Sequence, residues 1–213
     1  MTLSAMRQND FGGAKMNLPN KLTVLRLIMV PVIVTVMLLP LPAILSGVLA
    51  AAIFGATALT DMLDGKIARK NNLITDFGKF LDPLADKFMV ISTLLVLTYK
   101  FEGVLQFCCL ITTLIVIMRE LAVTSIRLVV SNASGIVIAA NKLGKIKTVT
   151  QITYILCALL EPVIFEVVDL IANPGFTNYH ILTYLSMLAM TFFTIWSGIN
   201  YLKSYWKYLD PNK

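Results

Sequence analysis

Between positions 61 and 86 the chain reads Asp61-Met-Leu-Asp64-Gly65-Lys-Ile-Ala68-Arg69 and, eight residues later, Gly78-Lys-Phe-Leu-Asp82-Pro-Leu-Ala-Asp86. These four carboxylates stand in a chain that is 57% hydrophobic, where ionisable groups are costly and mark function. On a helix, Asp61 and Asp64 are i, i+3 and leave one face a turn apart; Asp82 and Asp86 are i, i+4, with Gly78 a turn before them. If the two stripes face each other, four negative oxygen donors converge. Such a cluster calls for hard divalent cations, Mg²⁺ or Mn²⁺, and two of them would clamp a diphosphate. The plainer reading, helix capping or pairing with Lys66, Lys79 and Lys87 at a membrane surface, does not require this spacing.

The neighbours of the carboxylates suit a phosphate ligand. Gly65 and Gly78 remove side chains beside them and Ala68 keeps the same face low, so a nucleotide can approach the backbone. Arg69 stands about a turn beyond Asp64 and can fork onto phosphate oxygens. Thr75 serves either as an N-cap or as a hydroxyl donor to phosphate. Around Pro83 two readings are open: a helix from near Thr75 that kinks there, or one that restarts at Asp82.

The elements that must position these groups are apolar. Only 14% of residues are charged and mean hydropathy is +0.79, which places the chain among polytopic membrane proteins without a separate soluble domain. Six segments approach the ~20 residues a span requires: Leu22 to Leu39, Ala43 to about Gly65, about Phe80 to Tyr99, Val104 to Val130, Thr148 to Ile171, and Ile181 to about Tyr201. Residues 1–15 are polar, lack a signal-peptide core, and are expected to be a disordered extension before a membrane domain over 16–213. The three cysteines, Cys108, Cys109 and Cys157, lack metal-site spacing and are expected to be buried packing residues.

The net charge of +6 favours an anionic membrane face and anionic substrates, with no nucleic-acid motif present. Lysine and arginine cluster before the first segment, between the second and third, between the fourth and fifth, and after the sixth; Lys100 alone lies on the other side. The positive-inside rule then places both termini and the acidic motif on the cytoplasmic face of a multi-pass cell-membrane protein. His180 falls on the outer side and receives no catalytic role. Tyr201, Tyr205, Trp206 and Tyr208 suit an interfacial aromatic belt.

Other polar residues have two readings each. Asn20 could cap the first helix, with Arg26 snorkelling to the interface. Arg119 could pair with Glu120 or with a carboxylate elsewhere, or join Arg127, Lys142 and Lys145, and with them Lys147, in a basic pocket. The run Asn141 to Thr148, expected as a cytoplasmic loop, carries three of these lysines or is ordinary positive-inside charge.

The motif D-x2-D-G-x2-A-R-x8-G-x3-D-x3-D resembles the signature of the CDP-alcohol phosphotransferases, integral membrane enzymes that transfer a phosphatidyl or phosphoalcohol group from a CDP donor to an alcohol. A chance match at a given start is on the order of 10⁻¹⁰. The resemblance covers most of residues 16 to 205. It implies an all-α fold of six transmembrane helices around a cytoplasmic-side cavity, two divalent cations (Mg²⁺ or Mn²⁺), membrane lipid as a substrate and a homodimer. By that resemblance Asp61, Asp64 and Asp82 are metal ligands, and Asp86 is both a ligand and the general base. Gly65, Arg69, Thr75 and Gly78 contact the donor, CDP-diacylglycerol, and an Asn-x2-Thr element like Asn20 and Thr23 lines the same pocket. The Asn-Leu-Pro-Asn-Lys-Leu-Thr start points to sn-glycerol 3-phosphate as acceptor, its phosphate held by Arg119, Arg127, Lys142 and Lys145. Phosphatidylglycerol and inositol phosphate are rival acceptors. A divalent-cation transporter is the reading outside the family, disfavoured because the carboxylates cluster at one face.

Overall fold

Apolar runs of about twenty residues have no partner for their backbone amides in lipid except their own helix. The computed structural model describes residues 18–70, 76–134, 142–172 and 179–206. It contains α1 (Leu18–Leu38), α2 (Ala43–Lys70), α3 (Asp76–Lys100), α4 (Gly103–Ser134), α5 (Lys142–Ala172) and α6 (Ile181–Tyr205). Among the described residues four helices are long and apolar enough to cross a membrane, over Asn20–Leu38, Ala43–Asp61, Gly103–Val130 and Ile181–Tyr205. The other two, α3 and α5, carry charge further along their length.

The helix boundaries amend three expectations. α3 begins at Asp76 and runs through Pro83, so the restart at Asp82 does not occur. α2 continues to Lys70, placing the whole first half of the acidic motif on a helix. The lysine run expected as a loop forms the first turns of α5 from Lys142 onward. Lysine is a good helix former, and Gly144, the one weak residue there, sits in open space where nothing opposes the helical path.

The packing order differs from the chain order. α1 packs on α3, α3 on α4, α4 on α6, α6 on α5, α5 on α2, and α2 back on α1. Among the described residues the helices thus close a ring, crossed by a lighter contact between α3 and α5. α1 packs on both α2 and α3, which make no extensive contact with each other among the described residues; the carboxylates of the two helices nonetheless lie within electrostatic reach of one another.

Away from the aspartates the ring interior is filled by a core that includes Phe54, Met89, Leu94, Val116, Tyr154 and Met190. α2 and α5 approach closely there. A Cβ on Gly47 would lie 2.3 Å from Val163 Cγ2 and 3.0 Å from the Leu159 carbonyl. At the start of α6, buried Glu161 accepts the Leu182 and Thr183 amides at 2.9 and 2.7 Å and the Thr183 hydroxyl at 2.5 Å. This carboxylate of α5 satisfies donors that a helix N-terminus leaves open. His180, in the left-handed region at φ 51°, precedes them and meets the edge of Phe101.

Two expectations about side chains are also corrected. Only Cys109 is fully buried, in hydrogen-bond contact with Thr98 and Tyr154, while Cys108 and Cys157 are partly exposed. Tyr201 is buried against Val123, Ile126 and Val130 rather than standing in an interfacial belt.

Candidate active site

α1 supplies the side chains that hold the acidic motif. Asn20, Thr23 and Arg26 recur at three-residue spacing on one face, and all are buried. Arg26 Nη1 lies 2.8 Å from Asp61 Oδ1; the guanidinium is 1% exposed and the carboxylate 40%. The Thr23 hydroxyl donates to Asp82 Oδ1. Inserted between α2 and α3, α1 therefore grips a carboxylate on each.

Asp86 lies a turn further along α3, partly buried, within electrostatic reach of Asp61, Arg26, Lys147 and Glu120. Gly78 is buried in the first turn of the same helix. Asp64, Gly65 and Arg69 lie on the last turns of α2 and Lys142 opens α5; their side chains are outside those described, and Thr75 and residues 1–15 are outside the described residues.

Across the ring interior stands a cationic group. Glu120 Oε1 accepts from Arg119 Nη1 at 3.0 Å and, on the same oxygen, from Lys147 Nζ. α4 and α5 are not neighbours in the ring, so the Lys147–Glu120 pair spans the space inside it. Lys87 Nζ donates to the Thr124 hydroxyl, which in turn donates to the Glu120 carbonyl at 2.7 Å. Arg127 Nε points to the Tyr201 hydroxyl at 3.5 Å. A Cβ on Gly198 of α6 would lie 3.2 Å from Arg119 Cγ, so α6 backs the arginine stem closely. Gln151, one turn after Lys147 and 1% exposed, has an amide nitrogen with no hydrogen-bond partner among the described residues.

The structure thus brings together Asn20, Thr23, Asp61, Asp82 and Asp86 along α1 and its two neighbours, with Arg119 in the facing group. Lys145 is exposed and makes no ion pair among the described residues, which removes it from the interior. Lys147 entered the sequence reading only as an addition to the basic pocket and Lys87 only as a surface partner of the aspartates, while Gln151 and the organising part of Glu120 were not singled out. The available signal was the spacing of Lys147, Gln151 and Tyr154, which follows the helical period of the interior face.

Hard-cation chemistry fits this donor set: the ligating atoms are carboxylate oxygens, and Arg26 offsets only part of their charge. Among the described residues no three ligating side chains are already clustered for a metal ion. Asp61 and Asp82 are instead turned onto Arg26 and Thr23.

A helical membrane-type ring with this carboxylate motif defines a class. The family model for CDP-alcohol phosphatidyltransferases matches residues 16–196, and the chain belongs to that family. It is 38% identical over 209 residues to the CDP-diacylglycerol–glycerol-3-phosphate 3-phosphatidyltransferase of Bacillus subtilis, covering 92% of this chain and 98% of that one. The enzyme of the same name from Pseudomonas fluorescens is 33% identical over 203 residues, covering 92% and 94%. A CMP-forming cardiolipin synthase from Oryza sativa is 32% identical over 205 residues, covering 91% of this chain and 59% of its own.

Proposed function

We propose that the chain transfers the phosphatidyl group of CDP-diacylglycerol to sn-glycerol 3-phosphate, releasing CMP. The observation that supports the reading is the placing of carboxylates on α2 and α3 across the interior from cations on α4 and α5. The first suits a metal-bound diphosphate, the second an acceptor that bears its own phosphate. The high identity to bacterial glycerol-3-phosphate phosphatidyltransferases along nearly their full length supports the same acceptor.

Asp61, Asp64, Asp82 and Asp86 would hold two divalent cations, Mg²⁺ or Mn²⁺. Bound there, these ions neutralise the diphosphate and the charge that develops on transfer. Thr23 and Arg26 keep two of the carboxylates in place before substrate arrives. Asn20, Gly65, Arg69, Thr75 and Gly78 form the donor side. Asp86 takes the proton from the acceptor hydroxyl as its oxygen bonds to the β-phosphorus; the bond from that phosphorus to the bridging oxygen breaks, and CMP leaves with that oxygen. Arg119 and Lys147 hold the acceptor phosphate, with Lys87 and Arg127 adding positive charge. We place all six helices in the cell membrane, the cavity and both termini on its cytoplasmic face, and two copies of the chain in a homodimer.

A phosphatidylglycerol acceptor is the second reading, favoured by the likeness to the plant cardiolipin synthase. The deciding experiment gives purified protein labelled CDP-diacylglycerol, Mg²⁺ or Mn²⁺, and each acceptor in turn. Product with glycerol 3-phosphate is expected; product with phosphatidylglycerol alone would overturn the assignment. Asp86→Asn should abolish CMP release while the protein still inserts and folds.

A further inference from the structure

We infer that Glu120 is a positioning residue for the acceptor phosphate, holding the Lys147 ammonium and the Arg119 guanidinium at one point inside the ring. This rests on the acceptor reading given above and names the device that makes it work. Glu120 is 9% exposed, and one of its oxygens receives both cations. Arg119, Lys147 and Lys87 stand against Glu120 and Asp86, three cations to two carboxylates, and Arg127 adds a further positive charge within electrostatic reach of Lys87. A buried surplus of cation is satisfied by an anion, and a phosphate with several acceptor oxygens can engage both side chains at once.

The geometry also explains why a carboxylate is needed. Lys147 and Glu120 belong to helices that are not neighbours in the ring, so the lysine side chain must reach from one to the other through the buried interior. A long lysine stem has many rotamers, and the carboxylate selects one of them. Thr124, one turn along α4, ties Lys87 to the same helix through the Glu120 carbonyl. Asp86 lies within electrostatic reach of both Lys147 and Glu120. A phosphate on Lys147 would therefore direct the rest of the acceptor toward the base. A purely structural role, in which the buried pair only joins α4 to α5, would affect stability without favouring one substrate over the other.

The test uses the full chain in lipid–detergent micelles with Mn²⁺ and compares Glu120→Gln, Glu120→Asp and Lys147→Gln. The readouts are KM for glycerol 3-phosphate, KM for CDP-diacylglycerol, and inhibition by inorganic phosphate competing with the acceptor. Glu120→Gln should raise the acceptor KM and the phosphate inhibition constant together, about tenfold, while the donor KM changes less than threefold. Glu120→Asp, which keeps the charge but withdraws it by one methylene, should fall between. Less than a threefold rise in the acceptor KM would overturn the inference, as would equal rises for both substrates. If Glu120→Gln does not fold, Glu120→Asp is judged by the same threefold criterion. Lys147→Gln separates the two levels. A raised acceptor KM there with none in the Glu120 variants removes only the positioning role, whereas an unchanged KM in Lys147→Gln removes the acceptor pocket itself.

Discussion

Thr23 and Arg26, three residues apart on α1, take hold of carboxylates on two different helices: Thr23 donates to Asp82 of α3, and Arg26 pairs with Asp61 of α2 at 2.8 Å. The two halves of the acidic motif are thereby held through a third element that lies between them.

Arg26→Met leaves Asp61 without its buried counter-charge. The half-exposed carboxylate is partly screened by water, so the expected loss of stability is about 1–3 kcal/mol. Divalent cations should substitute for the missing charge. Thermal unfolding should therefore show a larger gain in Tm on adding Mn²⁺ for Arg26→Met than for the parent protein. An equal gain would argue that Arg26 does not act through Asp61.

Thr23→Val keeps the shape of the side chain and removes the donor to Asp82. A hydrogen bond to a charged group contributes about 1.5–3 kcal/mol, and part of that should appear as a tenfold or greater fall in kcat/KM for CDP-diacylglycerol. Thr23→Ser, which restores the hydroxyl, should recover most of it. Failure of the serine variant to recover would point to the lost methyl packing instead.

Gly47→Ala tests the close crossing of α2 and α5. The added methyl would overlap Val163 and press on backbone at Leu159, with an expected cost of about 1–3 kcal/mol. Unfolding temperature in detergent should fall, KM for either substrate should hold, and Val163→Ala should rescue the loss by making room.

Glu161→Gln removes an anion from the start of α6. The neutral amide keeps one acceptor oxygen and cannot accept at its nitrogen, so at least one of the three bonds is lost. A loss of about 1–3 kcal/mol is expected. Because Lys100, at this end of the bundle, is ~20 Å along α3 from Asp86, catalytic constants of the folded fraction should not move.

The acidic motif was legible because helical spacing is a local property: i, i+3 and i, i+4 pairs name their own face without any knowledge of neighbours. The six apolar runs were legible for the same reason, within a few residues at their ends. The ring order was not. Nothing within α2 or α3 records that α1 will stand between them, since that depends on matching surfaces far apart in sequence. Lys147 was grouped with Lys145 in one basic pocket because the two look alike in a basic run. Two residues of helical rotation separate an exposed charge from one buried 6% exposed against Glu120. Tyr201 shows the converse, an aromatic near a helix end whose partner, Arg127, is 74 residues away.

The place of α6 in the ring bears on assembly during synthesis. α6 packs on both α4 and α5, and it is the latest of the six helices to be translated. Gly198 of α6 backs Arg119, and Tyr201 of α6 meets Arg127. A nascent chain that has inserted five helices already carries all four motif aspartates, yet it lacks the wall against which the facing cations are set. The last helix acts as a keystone, and transfer chemistry becomes available only when it has been laid.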